Sequence, residues 1–398
     1  MTSNFDHLYD RTGYRVKDKQ KALIYGRLRF LPGSTRKELA EKLSLRPSTV
    51  SNLVEELIDD GLVYEGELRP QSGQGRRQIS LYPNVDRFVA IALYFVSMTL
   101  KGALVNCGNH VRSEHTLTLS ENTGHDALNA GVVESTQALR ADKPAEAELV
   151  GCGVTFPGFV DTYNNRWVFA ARWPRLREFD LTGLQSQVDL PIRFRRSLDA
   201  ELEYLLEQNP RYRKGGTVLV HWGYGIGSSY ACDGLIIETA VGGFGEIGHV
   251  NLHGAPDGRV CVCGRRGCVE TEAALWAVLP HLQDAAPDLP MGEEEFADAF
   301  VERDLEKHPA VQHAVAEFTR AMVVLYTVLA PDHMVLYGPF LDCDTVFERV
   351  RDAIHTDLSL IFAKRLSIER ISAAFSGDLF GSTSPFFRET YTRYLLAK

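Results

Sequence analysis

Three cysteines, Cys261, Cys263 and Cys268, stand within eight consecutive positions of a 398-residue chain, with His249 ahead of them. The chain holds 7 cysteines, an odd number, and the other four, Cys107, Cys152, Cys232 and Cys343, are scattered. A disulfide framework fits this distribution badly and a metal cluster fits it well. Three thiols and one imidazole are the donor set of a closed Cys3His site, because Zn2+ prefers four tetrahedral nitrogen and sulfur ligands. Gly264 and Gly267 allow the chain to wrap an ion. The segment 245–270 is therefore expected to bind structural Zn2+ through His249, Cys261, Cys263 and Cys268. The scattered thiols read as small buried hydrophobes.

The length suits two or three domains, and 44% hydrophobic with 24% charged residues excludes a disordered, collagenous or coiled-coil chain. No apolar run approaches a membrane span, and the first twenty residues lack the apolar core of a signal peptide. A cytoplasmic protein with no membrane partner is expected. The net charge of −9 looks unfavourable for nucleic-acid binding, but residues 1–84 carry 14 Lys and Arg against 11 Asp and Glu, whereas residues 85–398 carry 29 against 41. A mildly basic head on an acidic body suggests two jobs.

In the head, Ala22, Leu23, Tyr25, Leu28 and Leu31 follow a loose helical period that Pro32-Gly33 ends. Ser34 or Thr35 can cap a second helix, with Glu38 placed to return the hydrogen bond and Leu39, Ala40 and Leu43 as its apolar stripe. After a short turn, Pro47 opens a third helix whose Val50, Val54, Leu57 and Ile58 recur at helical spacing up to Gly61. Two short strands then flank a Gly/Arg-rich tip, 73–77. This order predicts a winged helix–turn–helix over residues 1–84. The second helix of such a unit lies in the major groove and uses its N-terminal residues on base edges. Here those residues are Ser48, Thr49, Ser51 and Asn52; Arg36, Lys37 and Arg46 are expected on the DNA backbone, and Arg76 and Arg77 of the wing on phosphates or in a narrow minor groove.

From about Val85 the pattern alternates strands and helices, which predicts an α/β body over 85–398: a hairpin at 88–105, a helix at 127–140, a strand at 149–155 and a helix at 198–208. Long helices are expected at 270–283, 309–330 and 345–363. The turn Gly223-Tyr224-Gly225-Ile226-Gly227-Ser228 either presents amides to an anion or makes a tight hairpin.

Gly245-Glu246-Ile247-Gly248-His249, followed by Cys261-Val262-Cys263-Gly264-Arg265-Arg266-Gly267-Cys268-Val269-Glu270, resembles the signature of the ROK family of bacterial sugar-responsive repressors and sugar kinases. The winged head resembles the family's repressor branch. The resemblance implies a two-lobed actin/hexokinase-like body. It implies His249, Cys261, Cys263 and Cys268 as zinc ligands, and Glu246, His249 and Glu270 as sugar contacts beside a Pro157-Gly158 loop. A metal-fixed imidazole and two carboxylates make a rigid fan of hydrogen-bonding groups for vicinal hydroxyls, so zinc would preorganise the pocket rather than catalyse.

The departures from the family kinases matter equally. Their Asp-x-Gly-Gly-Thr phosphate loop is replaced by Leu93-Tyr94-Phe95-Val96-Ser97-Met98-Thr99, without a carboxylate for Mg2+ or a glycine to admit phosphate. Leu336-Tyr337-Gly338-Pro339-Phe340 crowds the place of the adenosine. Leu198-Asp199 stands for an Asn-Asp pair whose Asp would be the general base, which leaves Asp199 as a ligand contact. The expectation is a homodimeric repressor that reads a double-stranded DNA operator and binds a sugar-like effector without acting as an enzyme. The alternative is an ATP-dependent sugar kinase with an appended DNA-binding head.

Overall fold

The computed structural model describes residues 15–69, 78–120, 122–239, 244–254, 257–358, 365–372, 375 and 377–396. The head comprises α1 (Val16–Phe30), α2 (Arg36–Leu43) and α3 (Pro47–Asp59), then the antiparallel strands β1 (Val63–Leu68) and β2 (Ile79–Pro83). Thr35 caps α2: its Oγ1 accepts from Glu38 N at 3.3 Å, while Glu38 Oε2 accepts from Thr35 N at 2.8 Å. Such a box satisfies two amides that the first helical turn leaves open. Ser44, at φ 53°, turns the chain into α3, whose first helical residue is Pro47. Val50, Leu53, Val54 and Leu57 are buried along one face of α3, each contributing roughly 1.5–3 kcal/mol. On α1 the buried set is Ala22, Ile24, Tyr25 and Leu28; Leu31, expected in the stripe, is 42% exposed. It lies at the C-cap with φ −129°, where the helical period has ended.

The body repeats one topology twice. In the first lobe β3 (Phe88–Val96), β4 (Thr99–Asn106) and β5 (Val111–Thr118) form an antiparallel meander. Helix α4 (His125–Ala141) crosses to β6 (Glu148–Phe156), parallel to β3. A small sheet of β7 (Phe159–Asp161), β8 (Arg166–Phe169) and β9 (Phe179–Asp180), then α5 (Thr182–Gln187), leads to β10 (Ile192–Arg196), parallel to β6. Helix α6 (Ser197–Gln208) carries the chain into the second lobe, where β11 (Gly216–Trp222), β12 (Ile226–Cys232) and β13 (Leu235–Ile236) form the second meander. After α7 (Val269–Ala273), α8 (Leu275–Gln283), α9 (Glu293–Glu302) and α10 (Pro309–Leu329), β14 (His333–Tyr337) pairs parallel with β11. Helix α11 (Asp344–Asp357) then leads to β15 (Ser367–Arg370), parallel to β14. The strand orders are β10-β6-β3-β4-β5 and β13-β12-β11-β14-β15, the same five-strand plan in both lobes.

The helix expected at 270–283 is two helices. Ala274 is extended at ψ 154°, so that Leu275 N donates to Gly223 O at 2.9 Å and Trp222 Nε1 donates to Ala273 O at 2.7 Å. Bonding to the β11–β12 turn outweighs helix continuity there. The helix expected at 345–363 spans Asp344–Asp357, and its predicted last residues, 359–363, lie outside the described residues. The final helix, α12 (Gly377–Leu395), has no counterpart in the sequence reading; Gly377, Gly381 and Pro385 interrupt its pattern. Its Phe387, Tyr391 and Leu395 join Phe88 and Cys107 in the same buried cluster as the head's Tyr25, Leu28 and Leu53. The boundary at 84/85 thus runs through a shared core.

Candidate functional site

The four zinc-type residues converge. One donor atom from each of His249, Cys261, Cys263 and Cys268 lies within 4.8 Å of all the others. Cys263 Sγ and Cys268 Sγ are 3.7 Å apart, and Cys261 Sγ is 3.4 Å from His249 Nδ1. A tetrahedral ion with bonds of ~2.3 Å to sulfur requires sulfur–sulfur edges of about 3.8 Å, so the donor set fits a metal ion. Chain turns supply the geometry: Gly264 and Gly267 both take positive φ, 88° and 67°, and Val260 bridges Arg266.

The other ring nitrogen of His249 looks away from the thiols, 3.7 Å from Glu246 Oε2. Glu246, His249 and Glu270 line one end of a cavity of about 360 Å³ between the lobes, together with Pro157 and Gly158. Gly158 sits at φ 76° with its Cα so near β8 that a Cβ would lie 2.4 Å from Phe169 O. Glu270 Oε1 accepts from Ile226 N at 2.9 Å, and Glu246 Oε1 accepts from Arg196 Nη1 at 3.0 Å. Burial pushes both carboxyls up and the His249 imidazole down.

Asp199 departs from the expected arrangement. Its Oδ1 accepts from Arg196 Nη2 at 2.9 Å and from Ser229 Oγ at 2.7 Å, while Arg196 Nε donates to Oδ2 at 3.3 Å. It lines a separate, more open cleft of about 780 Å³ instead of the cavity that holds Glu246 and His249. Helical spacing explains this. Leu198 and Glu201, three apart on α6, share the face toward the cavity, and Asp199 falls on the flank. In this arrangement Asp199 lies off the cavity that holds Glu246 and His249, with both of its oxygens bonded by the chain.

The same cavity wall holds residues that the sequence pattern did not reveal. Glu293 Oε1 accepts the backbone N–H of Tyr224 at 2.7 Å, and its Oε2 pairs with His221 Nε2 at 2.8 Å. The glycine turn at 223–228 thus serves as a tight hairpin whose amides at 224 and 226 hold two carboxylates of the chain itself. Despite burial, pairing with His221 holds the Glu293 carboxyl down at about 2. Glu201 and Asp378 are buried here, and burial pushes them up to about 8 and about 7. The Tyr337 hydroxyl donates to Glu201. Below the hairpin that replaces a phosphate loop, Phe95 packs with Phe156, Trp167 and Trp173 at ring separations of 5.5, 5.3 and 6.0 Å. The spacing of Glu201 from Leu198 was the one available sequence signal for this cluster.

On the head, Ser48 and Asn52 are exposed and Thr49 and Ser51 half-buried, all in the first two turns of α3. Arg46 and Lys37 are exposed, the latter 3.9 Å from Glu41. Arg36 pairs with Glu65 of β1 at 2.6 Å, tying α2 to the wing. Arg76 and Arg77 lie outside the described residues. Among the described residues no helix is long and apolar enough to cross a membrane.

Comparison with known proteins agrees with this geometry. Residues 32–64 match the pattern of winged helix–turn–helix DNA-binding domains, and residues 98–382 match that of the ROK family. The chain is 20% identical over 380 residues to the DNA-binding transcriptional repressor Mlc of Escherichia coli K12, covering 92% of this chain and 93% of that protein. A solved ROK family transcriptional regulator, a homologue of the E. coli protein, superposes with a TM-score of 0.70 at 16% identity, over 96% of this chain and 100% of that one. The body also superposes on the ROK hexokinase of Thermus thermophilus with a TM-score of 0.58 at 17% identity, over 76% of this chain and 99% of that one. The fold is thus a winged helix–turn–helix on a hexokinase-like body, and with most of the body matched, the chain belongs to the ROK family.

Proposed function

We propose that this protein is a DNA-binding transcriptional repressor whose kinase-like body binds a sugar or sugar derivative as effector without phosphorylating it. One observation carries the reading: Glu246, His249 and Glu270 gather on the cavity wall as hydroxyl partners, while the turn amide that a phosphate could use is held by the chain's own Glu293. Glu293 occupies the turn amide at Tyr224. Asp199, the residue matching the kinases' general base, lies outside that cavity with Arg196 and Ser229 on its Oδ1. The names of the similar proteins, repressor and transcriptional regulator, support the same reading.

In this reading Zn2+ is held by His249, Cys261, Cys263 and Cys268 and fixes the orientation of the imidazole. Glu246 Oε2 and Glu270 accept from ligand hydroxyls beside Pro157 and Gly158, and the outward Nε2–H of His249 donates to a ligand oxygen. Glu201, Glu246, Glu270, Glu293, Glu294, Glu295 and Asp378 line the cavity with Lys101, Arg172, Arg196 and His221. Arg196 is paired with Asp199 and Glu246, and Arg172 lies 3.9 Å from Glu293. That excess of carboxyl groups favours a neutral ligand over a nucleotide or a sugar acid.

Ser48, Thr49, Ser51 and Asn52 read base edges; Arg36, Lys37 and Arg46 hold phosphates, joined by Arg76 and Arg77 of the wing. Two copies in a cytoplasmic homodimer place two recognition helices on a palindromic operator, about 34 Å apart. A thermal-shift screen of neutral sugars, sugar acids and ATP tests the effector assignment, since a ligand selective for the folded state raises the melting temperature. A rise with neutral sugars alone is expected; a rise with ATP alone contradicts the reading.

A further inference from the structure

Two helices connect the lobes in the backbone: α6 runs from β10 of the first lobe to β11 of the second, and α12 follows β15 of the second lobe and packs back on the first. Movement of one lobe against the other must bend or carry these two elements. Their packing leaves little slack. A Cβ on Gly381 of α12 would lie 1.8 Å from Ala200 O of α6, and one on Gly153 of β6 would lie 2.3 Å from Ser382 O of α12. Backbones this close transmit displacement directly, because packed interiors are stiff.

The two ends of α12 meet different parts of the molecule. At its start Asp378, 7% exposed, lines the cavity and accepts from Leu379 N at 2.8 Å. Near its other end Tyr391 is buried against the head: its hydroxyl takes a hydrogen bond from Arg29 Nη1 at 2.9 Å and lies 3.1 Å from the Tyr25 hydroxyl, with the two rings 5.2 Å apart. Tyr25 and Arg29 belong to α1, which packs on the recognition helix α3. A helix of 19 residues spans about 28 Å.

We infer that α12 is the rod through which the state of the cavity reaches the DNA-reading head, with Asp378 its cavity-side contact and Tyr391 its head-side contact. The inference rests on the regulator reading, yet its test needs neither DNA nor an effector. A coupling of this kind requires an element with two arrangements that both sites bias. The lobe-linking helix touches both sites, so it is the element that such a coupling would move.

Hydrogen exchange of the full chain tests it. Asp378→Ala truncates the cavity contact and is expected to speed exchange about threefold or more in peptides of α1 as well as in β6 beside the cavity. Tyr391→Phe keeps the ring but removes the hydroxyl bonded by Arg29. In that background the effect of Asp378→Ala on β6 is expected to persist and its effect on α1 to vanish. Should Asp378→Ala fail to fold, Glu201→Ala perturbs the same cavity wall and carries the same expectation. Unchanged α1 exchange beside altered β6 exchange overturns the inference, as does an α1 effect that survives Tyr391→Phe. Failure to bind DNA would instead overturn the regulator reading and leave these exchange results standing.

Discussion

The Glu293 carboxylate accepts the backbone N–H of Tyr224 at 2.7 Å, so the turn that could cradle a phosphate already cradles an anion belonging to the chain. The same carboxylate pairs with His221 and approaches Arg172. No sugar-dependent ATP consumption is therefore expected from the purified protein over a sugar panel. Turnover abolished by Asp199→Asn would contradict this. Glu293→Gln leaves His221 and Arg172 without their counter-ion and is expected to destabilise the fold by about 3 kcal/mol, measured by chemical denaturation.

Glu201 and Asp378 give the fold a pH dependence of definite sign. Their carboxyls are pushed up to about 8 and about 7, so the folded chain holds protons that the unfolded chain has released. Stability must fall as pH rises from the ordinary carboxylate range through about 8, and the full benefit is present below about pH 4. Glu201→Gln removes one titrating group and is expected to flatten the decline. Denaturation at several pH values checks this, and a slope as steep as in the parent chain would refute it.

The metal prediction concerns structure more than chemistry. About one equivalent of zinc per chain is expected by elemental analysis, lost in Cys263→Ser, with a lowered melting temperature after chelation. Metal-free protein that melts like the untreated chain would show that the cluster holds no ion.

The head was legible because its signals are local: the Thr35–Glu38 box, Pro47 at the start of α3 and the apolar period of Val50, Val54 and Leu57 each act within a few residues. The donor set at 249–268 was equally plain from residue type. What escaped was whatever depends on distant packing. Arg196 matters because α6 turns Asp199 onto it and Glu246 reaches it from fifty residues away. Glu293 matters because α9 delivers it to the β11–β12 turn. Glycines at 377 and 381 and Pro385 disguised α12 as loop, although Gly381 is what lets α12 lie against Ala200.

Within the head, Thr35→Ala removes the acceptor for Glu38 N and is expected to cost about 1 kcal/mol. Lys37→Ala is expected to weaken DNA binding evenly across sequences and to reduce the salt slope by about 1. Binding titrations at several salt concentrations separate this from a loss of discrimination.

The most direct measurement is fluorescence anisotropy of a labelled duplex from the promoter region of the chain's own gene, titrated at low salt against a scrambled duplex of equal length. The account predicts tighter binding to the promoter duplex, a preference largely lost in Asn52→Ala, and a shift in affinity on adding whichever neutral sugar stabilises the protein. Equal affinity for both duplexes, unaffected by Asn52→Ala or by any such sugar, would contradict it.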